Sequence, residues 1–318
     1  MNLRLFFSLT LGTLLLFSCS FMGGYELKGY ALVYGVADYT LASQRSLPLT
    51  KNDADDMEAL LSASGYQVIK KTDSGASAAG IRQDFADIAA IIGKSDNFIF
   101  YFAGHGFGGK VTDHEDTDPE SVREWIIPYQ TENLFLNVNS YADLDTAWAL
   151  KAISDDELNE LMASIPSNKK LAVLDSCFSG GMISENGFLD LVAPNTWIRN
   201  MIKPSFFKIL ADSFKLYVNF YRDNEQAGVV FLTAAGEFEE SMDMTYFNNG
   251  IFTYFLTEAG AAPDTNKDGY ITVNELRNHI AYQMENEFNP YYTNSYNRPY
   301  LPHTNGSPVD FVVLMASP

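Results

Sequence analysis

A sulfur and an imidazole, each just past an apolar run, are the side chains of this sequence best suited to chemistry. Cys177 follows Leu171–Leu174 in Lys-Lys-Leu-Ala-Val-Leu-Asp-Ser-Cys-Phe-Ser-Gly-Gly, and His105 follows Asn97–Ala103 in Asn-Phe-Ile-Phe-Tyr-Phe-Ala-Gly-His-Gly. A thiol attacks as the thiolate, which an ordinary cysteine supplies poorly at neutral pH, and imidazole has the pKa suited to accept its proton. The glycines beside His105 let backbone amides approach a substrate carbonyl, so the amides of Gly106 and Cys177 are candidate donors to the oxyanion of a tetrahedral intermediate. The plain alternative is a cysteine that only fills space at the end of a buried strand. Asp175-Ser176 before it and Ser179-Gly180 after it, with Gly-His-Gly at another strand end, weigh against that.

A second pattern is Asp264-Thr-Asn-Lys-Asp-Gly-Tyr-Ile-Thr-Val-Asn-Glu275. It puts side-chain oxygens at Asp264, Asn266 and Asp268, a glycine next, a backbone carbonyl at Tyr270, a hydroxyl at Thr272 and a carboxylate at Glu275. That is the ligand order of an EF-hand loop, and hard oxygen donors at these spacings suit calcium. A single loop of this kind is expected to be structural or to assist activation. His114, His279 and His303 are scattered and form no zinc pattern.

Strands must carry the thiol and the imidazole. Leu171–Leu174 is too short for a helix and reads as a buried strand, and Asn97–Ala103 reads as another that stops at Gly104. Tyr30–Val36, Tyr66–Ile69, a short stretch around Trp125–Pro128, Gly228–Ala234 and a last strand at Pro308–Leu314 complete the set. Helices are predicted from Asn52 to Gly65, over Ala78–Ile92, from the Ser154-Asp155-Asp156-Glu157 capping box to Ser164, over Gly250–Ala259 and over Val273–Glu285. Strands alternating with helices predict an α/β fold with a mostly parallel central sheet and helices on both faces. The ends of parallel strands share one rim, which brings His105 near Cys177 although 72 positions separate them.

The hydrophobic content of 47% supports a real core, and the net charge of −19 disfavours a phosphate backbone as partner, so nucleic acid is not expected. At the N-terminus Arg4 precedes an apolar run, Leu5–Phe17, too short for a stable bilayer span. Leu16-Phe17-Ser18-Cys19 resembles a bacterial lipobox, with ordinary secretory cleavage as the alternative. On the lipobox reading residues 1–18 are removed, Cys19 is acylated, and the protein is exported to the cell envelope and held by lipid at a membrane, leaning to the outer one. Only two cysteines are present, so Cys177 is then left without a disulfide partner.

Tyr-Phe-Ala-Gly-His105-Gly followed by Asp-Ser-Cys177-Phe-Ser-Gly resembles the dyad motifs of the caspase-like cysteine peptidases, on the metacaspase side. Tyr30–Tyr39, Asn52-Asp53-Ala54 and Gly250-Ile-Phe-Thr-Tyr-Phe-Leu resemble that family's first strand, first helix start and late helix. Phe178 and Ala103 depart from its usual His and Ser. The resemblance implies a caspase-like three-layer sandwich and a cysteine endopeptidase with His105 as base and Cys177 as nucleophile. It also implies that Asp53 and Asp175 line the primary specificity pocket, where paired carboxylates favour Arg or Lys of a peptide or protein substrate. The bland reading has Asp53 capping its helix and Asp175 bonding nearby amides. The acidic run Asp113–Glu120 reads as a solvated loop, and the basic residues of Met182–Gln226 fall where such chains are often cut.

The expected organisation is a signal peptide over 1–18, a tether over 19–29, a peptidase domain over 30–260, a calcium-loop insertion over 261–288 and a C-terminal segment, 289–318, bringing the domain's last strand. Two rivals stay open: a catalytically silent, calcium-dependent binding module, and a transpeptidase using the same dyad.

Overall fold

Gly-Tyr-Ala-Leu-Val-Tyr-Gly is apolar on both sides of the pleat, as a strand covered on both faces must be. It forms the first strand, buried at every position. The computed structural model describes residues 27–39, 46–110, 122–132, 146–177, 229–234, 243–244, 247–258, 264–291, 300, 302–304 and 309–316. Within them the chain runs β1 (Gly29–Gly35), α1 (Thr50–Ala63), β2 (Tyr66–Thr72), α2 (Ala78–Ala89), β3 (Asn97–Lys110), β4 (Val122–Ile126), β5 (Ile153–Ser154), α3 (Asp155–Ser164) and β6 (Lys169–Cys177). It continues through β7 (Val229–Thr233), β8 (Asp243–Met244), β9 (Asn249–Gly250), α4 (Ile251–Thr257), β10 (Tyr270–Thr272), α5 (Val273–Gln283), β11 (His303–Thr304) and β12 (Val312–Met315).

The main sheet has the order β11-β7-β6-β3-β1-β2. Every pairing from β2 across to β7 is parallel, and β11 closes the edge antiparallel to β7. The fold is therefore α/β with a mostly parallel sheet between two helical layers. On one face Phe98, Phe100 and Phe102 of β3 pack with Ile81, Phe85 and Ile88 of α2 and Leu158 and Met162 of α3. On the other, Ile99 and Tyr101 pack with Met57 and Leu61 of α1, Phe252 and Phe255 of α4, and Leu276 and Ile280 of α5. Each large apolar side chain so buried contributes about 1.5–3 kcal/mol. The buried Lys170 is satisfied locally: its Nζ donates to the carbonyls of Met162 and Ile165 at 2.9 and 3.2 Å, closing the C-terminal end of α3.

Several expectations are corrected. β3 does not stop at Gly104. It continues to Lys110, and Gly106–Lys110 pair antiparallel with β4. The strand expected around Trp125–Pro128 is β4, at Val122–Ile126. Helix α1 opens at Thr50 with Leu49 before it and no side-chain cap, so Asp53 does not cap it. The last strand expected at Pro308–Leu314 is β12, at Val312–Met315, and it pairs with β10 in a two-stranded sheet. The expected insertion is built into the core: α5 supplies Val273, Leu276 and Ile280 to the same cluster as α1 and α4. Cys19, the acidic run and the Met182–Gln226 segment lie outside the described residues. Among the described residues no helix is long and apolar enough to cross a membrane.

Candidate active site

The chain goes from β1 out to β2 and then returns to lay β3 on β1's other side, so the strand order reverses between β1 and β3. Open parallel sheets hold their ligands at the carboxyl end of such a reversal. Tyr39, four residues past β1, and His105, near the carboxyl end of the parallel part of β3, meet there. On β3's other side the ladder with β6 runs from Asn97↔Lys169 to a last pair, His105↔Cys177. The two residues singled out in the sequence are thus register partners on adjacent strands.

His105 is buried, 4% exposed. Its amide donates to the Tyr39 hydroxyl at 2.9 Å, and its carbonyl accepts from the Ile127 amide at 2.9 Å. The Tyr39 hydroxyl donates onward to the Ile127 carbonyl at 2.7 Å, and its ring lies 4.5 Å from the imidazole at 52°. Because His105 spends its own backbone groups on that side, the rung to Cys177 must run through its neighbours. The Cys177 amide faces the Gly104 carbonyl and the Gly106 amide faces the Cys177 carbonyl.

Two carboxylates converge beside this rim. Asp53 of α1 and Asp175, two residues before the cysteine, are 1% and 4% exposed. Their Oδ2 atoms lie 3.4 and 2.7 Å from the point that a Cβ on Gly250 would occupy. Asp53 Oδ1 accepts the Gly250 amide at 2.9 Å. Asp175 Oδ2 accepts the Thr253 hydroxyl at 2.6 Å, and that hydroxyl lies 2.6 Å from the phenol oxygen of Tyr101. The start of α4 therefore positions both acids. Side chains on a helix point back toward its N-terminus, which lets Thr253 reach the rim from one turn inside.

The family model for the caspase domain matches residues 28–301, most of the chain. The chain belongs to the caspase-domain family. No curated protein matches it. Among solved structures, a crystal structure of protein GSU0716 from Geobacter sulfurreducens is similar, with a TM-score of 0.53 and 19% identity over 92% of this chain and 94% of that one. At that identity the likeness speaks for the fold alone.

The caspase domain here carries the twelve-residue loop between α4 and α5. Asp264 Oδ1 and Oδ2 accept the amides of Asp268 and Gly269 at 3.0 and 2.6 Å, and Asp268 Oδ1 accepts the Tyr270 amide at 2.9 Å. Lys267 and Gly269 take positive φ of 60° and 88°, the second where an EF-hand loop makes its sharp turn. Glu275 and Thr272 form a reciprocal capping box on α5, and Glu275 also accepts from the amide and hydroxyl of Thr265. Burial works to raise the Glu275 pKa, but these hydrogen bonds outweigh it and hold the carboxyl below its ordinary value. Asp264, Asn266, Asp268, the Tyr270 carbonyl, Thr272 and Glu275 fit a calcium ion by type and loop conformation. Among the described residues no three His, Cys, Asp or Glu side chains gather on one point, and Glu275 is turned to Thr265 and Thr272.

Sequence reasoning missed three residues. Tyr39 was visible only as part of a strand exit, and Gly250 and Thr253 only as the start of a helix. Thr253 did leave a signal: it is a hydroxyl on the buried face of a helix otherwise faced by Ile251, Phe252, Phe255 and Leu256.

Proposed function

We propose that the protein is a cysteine endopeptidase that cuts after Arg or Lys with His105 as general base and Cys177 as nucleophile. The observation that carries this reading is the register pair His105↔Cys177 at the carboxyl edge of two adjacent parallel strands. In this mechanism the imidazole takes the thiol proton and the sulfur bonds to the scissile carbonyl carbon. The amine then leaves with the proton returned by His105, and water hydrolyses the thioester. The amides of Gly106 and Cys177 are the donors proposed for the oxyanion, a role in which losing one donor costs about 10²–10³ in kcat. Both face the last rung of the β3–β6 ladder, so substrate must open that rung to reach them.

Asp53 and Asp175 are the proposed primary pocket. Two buried carboxylates converging on one point suit a cation as ligand. A guanidinium or ammonium side chain supplies that cation, and Arg can bind it in two-pronged fashion. Calcium is the proposed ion of the Asp264–Glu275 loop, where it supplies charge neutralisation and a fixed angle between the flanking helices. Because α5 is part of the core, that role is stabilising before it is regulatory. Export with acylation at Cys19, and hence a lipid anchor in the bacterial envelope, completes the proposal.

The test is turnover of short reporter peptides ending in Arg, Lys or Asp, by the full chain and by Cys177→Ala. Cleavage after Arg or Lys that vanishes in the variant is expected. Undiminished cleavage by the variant, or cleavage only after Asp, would overturn the mechanism or the pocket respectively.

A further inference from the structure

The change of partner along β3 creates a specific problem. Up to Ala103 the strand is laddered to β1, and from Gly106 onward it is laddered to β4. At His105, between the two, the strand meets Ile127, and an ordinary antiparallel pair would exchange two backbone bonds there. One is made, from the Ile127 amide to the His105 carbonyl at 2.9 Å. The reciprocal one is replaced. The Tyr39 hydroxyl stands between the two groups, accepting from the His105 amide at 2.9 Å and donating to the Ile127 carbonyl at 2.7 Å.

Three further features show that the tyrosine is built into this place. Its ring packs on the imidazole with centroids 4.5 Å apart, and it is wholly buried. Gly104 makes room for it, since a Cβ there would come 2.6 Å from the Tyr39 oxygen. The loop that carries it is pinned by Asp73, whose Oδ1 accepts the amides of Ala37 and Asp38 at 2.8 and 2.9 Å. Burial, which dominates, and the nearby Asp73 push the phenol far above its ordinary pKa against the smaller opposing effect of the His105 amide, so it stays a donor. A residue needed only for packing would do as well as Phe.

We infer that Tyr39 is the positioning residue of the proposed base: its hydroxyl and ring set the backbone and the imidazole plane of His105 opposite Cys177. The inference rests on the reading of His105 and Cys177 as the working pair. Without the hydroxyl, the His105 amide and the Ile127 carbonyl lose the partner they share in a buried place, and the strand shifts to find another.

The experiment compares the full wild-type chain with Tyr39→Phe and His105→Ala, well below their melting temperatures. The readouts are kcat and KM on an Arg reporter peptide and the rate at which iodoacetamide alkylates Cys177. Peptide mass mapping separates Cys177 from Cys19, the other cysteine. Since a misplacement of about 1 Å costs on the order of 10²-fold, Tyr39→Phe is expected to lower kcat about 10- to 100-fold with KM within about twofold. Its alkylation rate should fall toward that of His105→Ala. A Tyr39→Phe chain that melts earlier but keeps wild-type kcat and alkylation rate overturns the inference. So does a wild-type alkylation rate no faster than that of His105→Ala, because there is then no activated thiol to position. Should Tyr39→Phe not fold, p-aminophenylalanine at 39 keeps the ring and a donor to Ile127 but accepts poorly from His105. Its kcat and alkylation rate should then lie below those of wild type, and wild-type values would count against the role. If wild type turns over no peptide at all, the peptidase reading fails, while the alkylation rates still decide the role of Tyr39.

Discussion

Replacing Gly250 with alanine tests the proposed specificity pocket with little disturbance to the fold. Gly250 has φ −61° and ψ 142°, angles open to any L-residue, so the backbone takes the change without strain. Losing a glycine from the unfolded chain even adds about 0.4–1 kcal/mol of stability. The cost falls on the pocket. The new methyl carbon would stand 2.7 Å from Asp175 Oδ2 and 3.4 Å from Asp53 Oδ2. A carbon–oxygen contact settles at roughly 3.3–3.6 Å, so Asp175 must retreat by about 0.6–0.9 Å. That retreat pulls against the Thr253 hydroxyl, 2.6 Å away and itself 2.6 Å from Tyr101. With about 10²-fold lost per ångström of misplacement, Gly250→Ala is expected to lower kcat/KM for Arg and Lys reporters by roughly 15- to 60-fold, about 1.6–2.4 kcal/mol. Initial rates are measured beside a thermal melt of the same preparation. Wild-type kcat/KM in a variant whose melt is unchanged would refute the pocket. So would an activity loss that merely tracks a large drop in melting temperature, since the geometry predicts a lesion of recognition and not of folding.

Asp175→Asn, which keeps shape and removes charge, should cost about 2–5 kcal/mol in kcat/KM for Arg substrates, the loss typical when one partner of a buried charge pair is removed, whereas Thr253→Val should cost less than Asp175→Asn. If the loop binds calcium with a Kd of about 0.1 mM, as extracellular modules do, 10 mM calcium should stabilise the chain by roughly 2.7 kcal/mol. That upward shift in Tm is expected to vanish in Glu275→Gln, and a calcium-insensitive melt of the wild type would remove the ion from the account. The Glu275 carboxyl is held below its ordinary pKa, so its contribution is present above the ordinary carboxylate range and lost as pH falls through the lowered value. The acid limb of stability against pH should therefore be shallower in the same variant. Lys170 runs the other way: burial lowers its pKa, so the unfolded chain holds more protons between the lowered value and about 10.5, and stability gains as pH rises through that window. Urea melts of wild type and Lys170→Met should converge differently across that range, and parallel curves would mean the buried amine does not titrate with folding.

The parts of the site that lie along the chain were legible, and the parts made by chain crossings were not. Cys177 and His105 stand at the ends of apolar runs, and a parallel sheet leaves those ends little choice but a common rim. Their register is seen only in the fold, where Asn97↔Lys169 through His105↔Cys177 is an unbroken ladder. Asp53 was legible as an acid at a helix start; the bland alternative, that it caps the helix, is the part the fold removes, since α1 begins at Thr50 and buries Asp53 under Gly250. The cap preference is worth about 1 kcal/mol and the burial of a helix face several times more, so packing chose the register. The same contest placed α5 in the core and sent β12 to pair with β10, so the C-terminal strand covers an edge of β10. Tyr39 was the least legible, because no pattern of spacing marks a hydroxyl that substitutes for a backbone bond between strands reached 66 and 88 residues later. Such a residue is dictated by where the sheet changes partners, and in this fold that change falls at the histidine. Where β3 switches neighbours beside the histidine, the Tyr39 hydroxyl bridges the gap, so on the proposed reading the bridging residue belongs with the groups it holds.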